Sequence, residues 1–456
     1  MGLPDLPPEL QVMVYENLED DYDALMALTT VSRAVADCAH YVLEPLQTLD
    51  LSDGCTDEIE DNLIRLYELA YGPTSPVPQV TFRTIHSDLG QNLIRQASAY
   101  RTLVVHFDSR YGFTQRPAIR PENMVKLEAM WALLNGSEPY SPSTWRRNVQ
   151  NRLADTSLRL VFRTMRHLTT LELGGSTNIL PWKTAGILPM LRTLKFTAIT
   201  NPKLSPMCWN LAARPHLVTL EFSNMSITTS FLANLKNDLP VTDLRFRHCW
   251  VEINAFRRFS DHCKRMEAFE YTLGAYYWPV AATKSKHHHL ASLVSQMHRH
   301  ANKLTHLTLL MPNVEMDSTQ CNHVVSLAQF TALQKLAISY KVLAPHTRAC
   351  GVYVANPNTM LTQWDILSGL APSVDEVHLY RGDEADVMLT LSGMVNSMGP
   401  NMLPNLRRVE VILSRLRSPF SVSRSPGTRE VAIRKKFERR GVVVLISRPK
   451  HVYPLD

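Results

Sequence analysis

The stretch VTDLRFRHCWV, residues 241–251, holds apolar residues at its first, fourth, sixth, ninth and eleventh positions. Leu244, Arg245, Phe246 and Arg247 alternate apolar with charged, the period of a strand buried on one side. The same apolar-x-x-apolar-x-apolar spacing returns upstream as LQTLDL at 46–51, LTTLEL at 168–173, LRTLKF at 191–196 and LVTLEF at 217–222. Downstream it returns as MEAFEY at 266–271, LTHLTL at 304–309, LQKLAI at 333–338, VDEVHL at 374–379 and LRRVEV at 406–411, with YRTLVV at 100–105 a further member. From Leu171 through Leu194, Leu220 and Leu244 to Phe269 the steps are 23, 26, 24 and 25 residues. Later steps lengthen to 38 (Phe269 to Leu307) and 41 (Leu336 to Val377), which places insertions in the connections.

This periodicity resembles that of leucine-rich repeats, whose unit is roughly 20–29 residues. The fuller signature of that family, with Asn or Cys after the strand and a further apolar residue two later, is met by Cys249 and Val251; Ser176 and Met225 stand in the Asn/Cys place elsewhere. The repeat is therefore degenerate. SFLANLKND (230–238), NAFRRFSDHCKR (254–265) and HLASLVSQMHRHANK (289–303) read as helical or irregular returns. A short strand and its helix cannot hide their apolar faces alone, so the expected fold is α/β: a solenoid with a curved parallel sheet lined by helices. Each buried strand leucine contributes on the order of 1.5–3 kcal/mol, so roughly ten registers outweigh poor single repeats. The solenoid is expected over 167–416, with 44–166 as irregular first repeats holding a helical insertion. Two amphipathic stretches mark that insertion, NMVKLEAMWALL (123–134) and the Arg-rich run 144–167. Proline- and serine-rich segments at 71–79, 137–144 and 417–430 read as boundaries, and VAIRKKFERRGVVVLI (431–446) reads as a final helix and strand within a basic linker and cap, 417–456.

Strand residues lying between the apolar positions face the other, concave side. By that rule Lys195, Arg245, Arg247, His306, Lys335, His378, Tyr380 and Arg408 point toward a bound target. They are interleaved with Glu172, Glu221, Asp243, Glu270, Glu376 and Glu410. Arg245 and Arg247, two apart on one strand, suit bidentate contact with an acidic or phosphorylated segment. They equally suit charge balance with Asp243, Glu221 and Glu270 on the same and neighbouring strands. A continuous basic groove with stacking aromatics, as nucleic acid requires, is missing from this pattern.

The N-terminal region differs in charge. Residues 1–62 contain fifteen Asp and Glu against one basic residue, Arg33, while the remaining residues hold 47 Lys and Arg against 27 Asp and Glu. Pro7 and Pro8 suit the first turn of a helix, and Leu6, Leu10, Val14 and Leu18 recur at four-residue spacing beside Met13. EDDYD then caps a second helix presenting Leu25, Met26 and Leu28, and TVSRAVADCAHYV reads as a third. Three short helices in about forty residues need a partner or a following domain to cover them.

Residues 1–43 resemble the F-box. The opening Leu6, Pro7, Glu9 and Leu10, the closing Leu18, the entry Asp23 and Leu25, and the element Val31, Ser32 and Arg33 follow that family's order, although its frequent Trp after the Ser-Arg pair is missing. The tail AHYVLEPLQTLDL is similar to the exit of fungal F-box proteins, where the last helix runs into a strand. The resemblance implies docking onto the Skp-type adaptor of a cullin ubiquitin ligase through Leu6, Pro7, Glu9, Leu10, Val14, Leu18, Leu25, Leu28, Val31, Ser32 and Arg33. Together with the repeats it implies a non-catalytic, substrate-recognition subunit that gains rate by proximity. An interaction scaffold without a degradative role and, less favoured, a basic nucleic-acid-binding solenoid are the alternatives.

Composition agrees with a globular protein: 45% hydrophobic, 20% charged, formal net charge +6. No apolar run reaches the roughly 18–20 residues of a membrane helix. No secretory or myristoylation signal is read at the start, where Leu6 holds the Ser/Thr place. Seven Cys without a CxxC suggest reduced thiols in a cytoplasmic or nuclear protein. Catalytic signatures are not found: GGSTN (174–178) lacks the Lys of a phosphate loop and GDEAD (382–386) reads as a surface turn. His287, His288 and His289, with His298, His300 and His306, have no metal-ligand spacing, so neither metal nor cofactor is expected. Residues 414–450 hold eleven Lys and Arg against Glu430 and Glu438; a solvated cap, a nuclear signal or an anion-binding face would each use them.

Overall fold

A computed structural model describes residues 48–50, 102–107, 120, 123–126, 167–175, 188–199, 203–274, 286–310, 327–339, 370–382, 388, 391–392, 394–395, 403–413 and 428–447. The chain divides into two compact units, Met1–Asn201 with Ser205–Leu217, and Pro202–Leu204 with Val218–Asp456. The F-box-like stretch, including every residue assigned to the adaptor from Leu6 to Arg33, lies outside the described residues.

In the first unit β1 (Thr48–Asp50), β2 (Thr102–Phe107), β3 (Thr170–Gly175) and β4 (Thr193–Thr197) pair side by side in sequence order, all parallel. The second unit repeats the arrangement with β5 (Thr219–Ser223), β7 (Asp243–Val251), β8 (Ala268–Leu273), β9 (His306–Leu310), β10 (Lys335–Ser339), β11 (Glu376–Gly382), β12 (Arg408–Leu413) and β13 (Val443–Ser447). A two-residue strand, β6 (Ser226–Ile227), pairs with the far end of β7. The described chain is thus α/β, with parallel strands and few helices. Every strand except β6 and β13 begins at the third residue of one of the six-residue apolar stretches, YRTLVV included.

Register follows from what must be buried. In the second unit Leu220, Leu244, Phe269, Leu307, Leu336, Val377, Val409 and Val444 align strand by strand and are all buried. A slip of one residue would exchange this row for charged side chains. The second row, Phe222, Phe246, Tyr271, Leu309, Ile338, Leu379 and Val411, is likewise buried. Phe222 stacks on Phe246 at 5.5 Å, and Phe246 also meets Phe256, Phe259 and Phe269 edge-on.

Backbone geometry repeats with the same period. An N–H to C=O bond three residues back closes a turn before the strands, from Leu191 to Leu188, Met266 to Cys263, Leu333 to Phe330, Val374 to Ala371 and Leu406 to Leu403. The carbonyl of the residue preceding each strand accepts two N–H groups from the next strand's start: Val218 from Thr242 and Asp243, Thr242 from Glu267 and Ala268, Thr305 from Gln334 and Lys335. Left-handed residues stand two positions past the second buried residue: Gly175, Ala198 and Asn224 at the ends of β3, β4 and β5, and His248 within β7. Asn and Gly accept that conformation readily, whereas Ala and His are held there by the stacked repeats. The Cys249 thiol donates to the Phe222 carbonyl at 3.2 Å, joining its turn to the preceding strand.

Helices are few among the described residues. Those given bounds are α1 (Pro206–Ala212), opened by Ser205 and Pro206, α2 (Ile253–His262), α3 (Lys286–Met297, continuing as a 3-10 turn to His300) and α4 (Thr428–Glu438). Residues 123–126 are also helical, which is as much of the 123–134 expectation as is described. SFLANLKND forms successive turns instead of a helix, with Phe231, Ala233 and Leu235 each bonded three residues back. The paired threonines at 228–229 and the Asn-Asp-Leu-Pro exit leave little room for a helix to propagate, yet Phe231, Leu232 and Leu235 are still buried. No helix among the described residues is long and apolar enough to cross a membrane.

Candidate functional site

The residues between the buried rows gather on the opposite face of the second unit's sheet. Stacking in register brings Arg245 beside Glu221 on one side and Glu270 on the other. Arg245 donates to Asp243 through Nε at 3.0–3.1 Å and through Nη2 at 2.5 Å, with Glu270 4.0 Å from Nε. Arg247 forms a fork with Glu270 at 2.8 and 3.0 Å, and its Nη1 lies 3.6 Å from Glu221. Glu221 is only 7% exposed and also accepts the Ser223 hydroxyl at 3.1 Å. The hydrogen bonds they donate to Asp243 and Glu270 hold the two guanidinium groups above even their usual basicity.

A second cluster forms on β10, β11 and β12. The Lys335 ammonium sits 3.1 Å from Glu376, and Arg408 donates to Glu410 at 3.0 Å. His378 stands between them, its Nε2 3.8 Å from Glu376 and its Nδ1 3.4 Å from Glu410. The Lys335 contact draws the Glu376 carboxyl below its usual range. Burial, then Glu410 and Glu270, push the Tyr380 phenol above its ordinary value, so it is a neutral hydrogen-bonding group at physiological pH.

Between the two clusters the middle row reads Glu270, Thr308, Ala337, His378 across four adjacent strands. Two small residues therefore separate two charged banks. The influence of Glu270 on Tyr380 reaches across this strip. His306 is exposed at its border and Ser339 is buried within it.

Of the sequence-assigned face residues, Arg245 and Arg247 come together through Glu270, and Lys335, His378 and Arg408 through Glu376 and Glu410. Lys195 belongs to the first unit, where it registers opposite Glu172. Sequence reading named Asp243, Glu221 and Glu270 as balancing partners for Arg245 and Arg247, and the structure pairs them so; what it left out is how far such pairing extends along the face. Five carboxylates (Glu221, Asp243, Glu270, Glu376, Glu410) face four Lys and Arg (Arg245, Arg247, Lys335, Arg408), a net of one negative charge with the histidines neutral. The signal was present, since aligning Leu244 with Phe269 already sets Arg245 opposite Glu270. An anion reaching the two arginines meets carboxylates already bonded to them.

The groups this face presents are paired carboxylates, guanidinium and ammonium groups, with His378 between them. Among the described residues no cluster of His, Cys, Asp and Glu could hold a metal ion. Three described cysteines are buried, with burial pushing the Cys208 thiol up to about 11 and the Cys249 and Cys263 thiols up to about 12, which leaves them unreactive as nucleophiles. No family model matches the sequence, and no curated protein matches it.

Proposed function

We propose that the chain is the substrate-recognition subunit of a Skp–cullin–F-box ubiquitin ligase, an F-box followed by a leucine-rich-repeat-type solenoid. The observation that carries the reading is the ordered series Leu6, Pro7, Glu9, Leu10, Leu18, Leu25, Val31, Ser32 and Arg33 ahead of stacked parallel repeats. Parallel repeats with one charged face offer a broad, rigid surface for a protein target. The paired charges of that face favour a target presenting matched polar groups over one presenting a lone phosphate, because displaced carboxylates would be left uncompensated. The protein performs no bond chemistry in this reading; it holds a target near the ubiquitin-charged enzyme.

Co-purification tests it. The full chain should retain a Skp-type adaptor, and Leu6→Ala with Pro7→Ala should lose it, since buried interface anchors contribute roughly 2 kcal/mol or more each. The melting transition of the repeats should be unchanged in that variant. A correctly folded double variant that captures the adaptor like the wild type would end the F-box assignment. Adaptor capture without cullin would instead support the scaffold reading.

A further inference from the structure

β13 is the last strand of the second unit and, among the described residues, pairs on one side only, with β12. The Val443 N–H donates to the Arg407 carbonyl at 2.8 Å. Backbone polar groups of successive strand residues point to opposite sides. Those of Val443, Leu445 and Ser447 therefore face β12, and those of Val444 and Ile446 face outward.

The side chains of this strand also depart from the pattern. Where β12 carries Arg408 and Glu410 on the charged face, β13 carries Val443, 54% exposed, and Leu445, 37% exposed. Natural sheets usually blunt such an edge with charges or proline within the strand itself. Here the cations stand beside it instead: Lys435, Lys436, Arg439 and Arg440 are exposed at the end of α4 and in the turn entering β13, with Glu438 as the one carboxylate of that run. Gly441, left-handed at φ 72°, directs the turn into the strand. Phe437 is fully buried and Arg434 is bonded to the buried Glu430, so this basic run is a packed helix end, not an extended peptide.

We propose that the outer edge of β13 receives an extended acidic segment of a partner protein by strand addition. Main-chain bonds to Val444 and Ile446 supply the pairing, Val443 and Leu445 receive alternate apolar side chains, and the cations of residues 435–440 select for acidic flanks. A second copy of this chain fits less well, because its own edge strand, Val443–Ser447, has no acidic residue for those cations to select.

The probe is a fluorescent peptide of alternating Glu and Val, titrated against the full chain, with the matching Lys–Val peptide as control. Saturable binding of the acidic peptide is expected, with the basic peptide about tenfold weaker or worse and affinity falling as salt rises. Ile446→Pro removes an outward N–H while keeping the ladder to β12, and it should abolish binding. Lys435→Glu with Arg439→Glu, a surface change that leaves the core intact, should weaken binding about tenfold. Equal binding of both peptides, or wild-type affinity in either variant, overturns the proposal. So does a concentration-dependent homodimer that Ile446→Pro dissolves, which would make the edge a self-association site. Binding only after truncation beyond Ser447 would assign the edge to this chain's own tail, with the same consequence.

Discussion

Between β5 and β8 the buried strand positions hold four aromatic residues, Phe222, Phe246, Phe269 and Tyr271, beside Leu220 and Leu244, whereas between β9 and β12 they are all aliphatic: Leu307, Leu309, Leu336, Ile338, Val377, Leu379, Val409 and Val411. The first region repeats every 24 or 25 residues; the second steps by 29, 41 and 32. Both keep the same register and the same buried rows, so strand alignment does not depend on connection length or on which apolar residue fills a position. Their charged faces differ. The first region forks Arg247 onto Glu270 and sinks Glu221 beneath it; the second joins Lys335 and Arg408 to carboxylates through single contacts, with a histidine between them. Alignment is a property of the repeat, while rigidity is a property of the local side chains.

The largest expected effect tests the shared register. Leu244 and Val377 occupy equivalent positions and neither is exposed. Leu244→Asp and Val377→Asp each bury a carboxylate without a partner and should cost about 4 kcal/mol or more, with neighbouring repeats lost because each supplies the other's burial. Urea unfolding followed by circular dichroism measures both. A wild-type midpoint for either variant would mean that its strand is not part of the common core.

The next effect separates the two regions. Phe246→Ala removes a ring that contacts four other phenylalanines and should cost about 3–5 kcal/mol; Leu379→Ala at the equivalent position should fall within about 2–5 kcal/mol and below it. Equal losses would show that the aromatic stack adds nothing beyond buried volume.

The strands were legible in the sequence because their constraint is local: two buried positions at fixed spacing recur whatever lies between them. β2 and β12 were as readable as β7 for that reason. The turns at 228–239 were not, since Phe231, Leu232 and Leu235 have helix-like spacing and only the surrounding threonines, Asn237, Asp238 and Pro240 shorten the segment to turns. The charged face was legible as a set of residues and, for Arg245 and Arg247, as a set of balancing carboxylates; its bonding pattern was not. Alternation shows which way Arg247 points and alignment puts Glu221 and Glu270 on the two adjacent strands, but which of them takes the fork depends on side-chain geometry.

That pairing gives a smaller effect. Glu270→Gln takes the fork from Arg247 and leaves it Glu221 at 3.6 Å. These groups are partly exposed, so screening holds the loss to about 1 kcal/mol, and added salt should shrink it further. Glu410→Gln, whose contacts to Arg408 and His378 are single, should cost less than Glu270→Gln. The opposite ranking would show that the forked arginine is no more firmly held than its counterpart.

The smallest effect lies behind the face, where α2 meets the end of α3. His300 is buried, and its Nε2 lies 2.8 Å from the Ser260 hydroxyl. Burial holds the imidazole below its ordinary value of 6.5, and Arg299 and Lys303 push the same way against Ser260 and Asp261. The folded protein therefore keeps His300 neutral while the unfolded chain begins to take up a proton near pH 6.5. Stability should fall as pH drops through that value and level off once it passes the lowered folded value, with a slope no steeper than about 1.4 kcal/mol per pH unit for one proton. His300→Gln retains a polar side chain of similar reach and removes the titration. Its unfolding free energy should then lack this component between neutral pH and the lowered folded value, although carboxylate titration at lower pH continues in both proteins. Urea midpoints measured in parallel across that window decide the matter: identical pH profiles for the two proteins would show that the Ser260–His300 contact does not link α2 to α3 through a neutral imidazole.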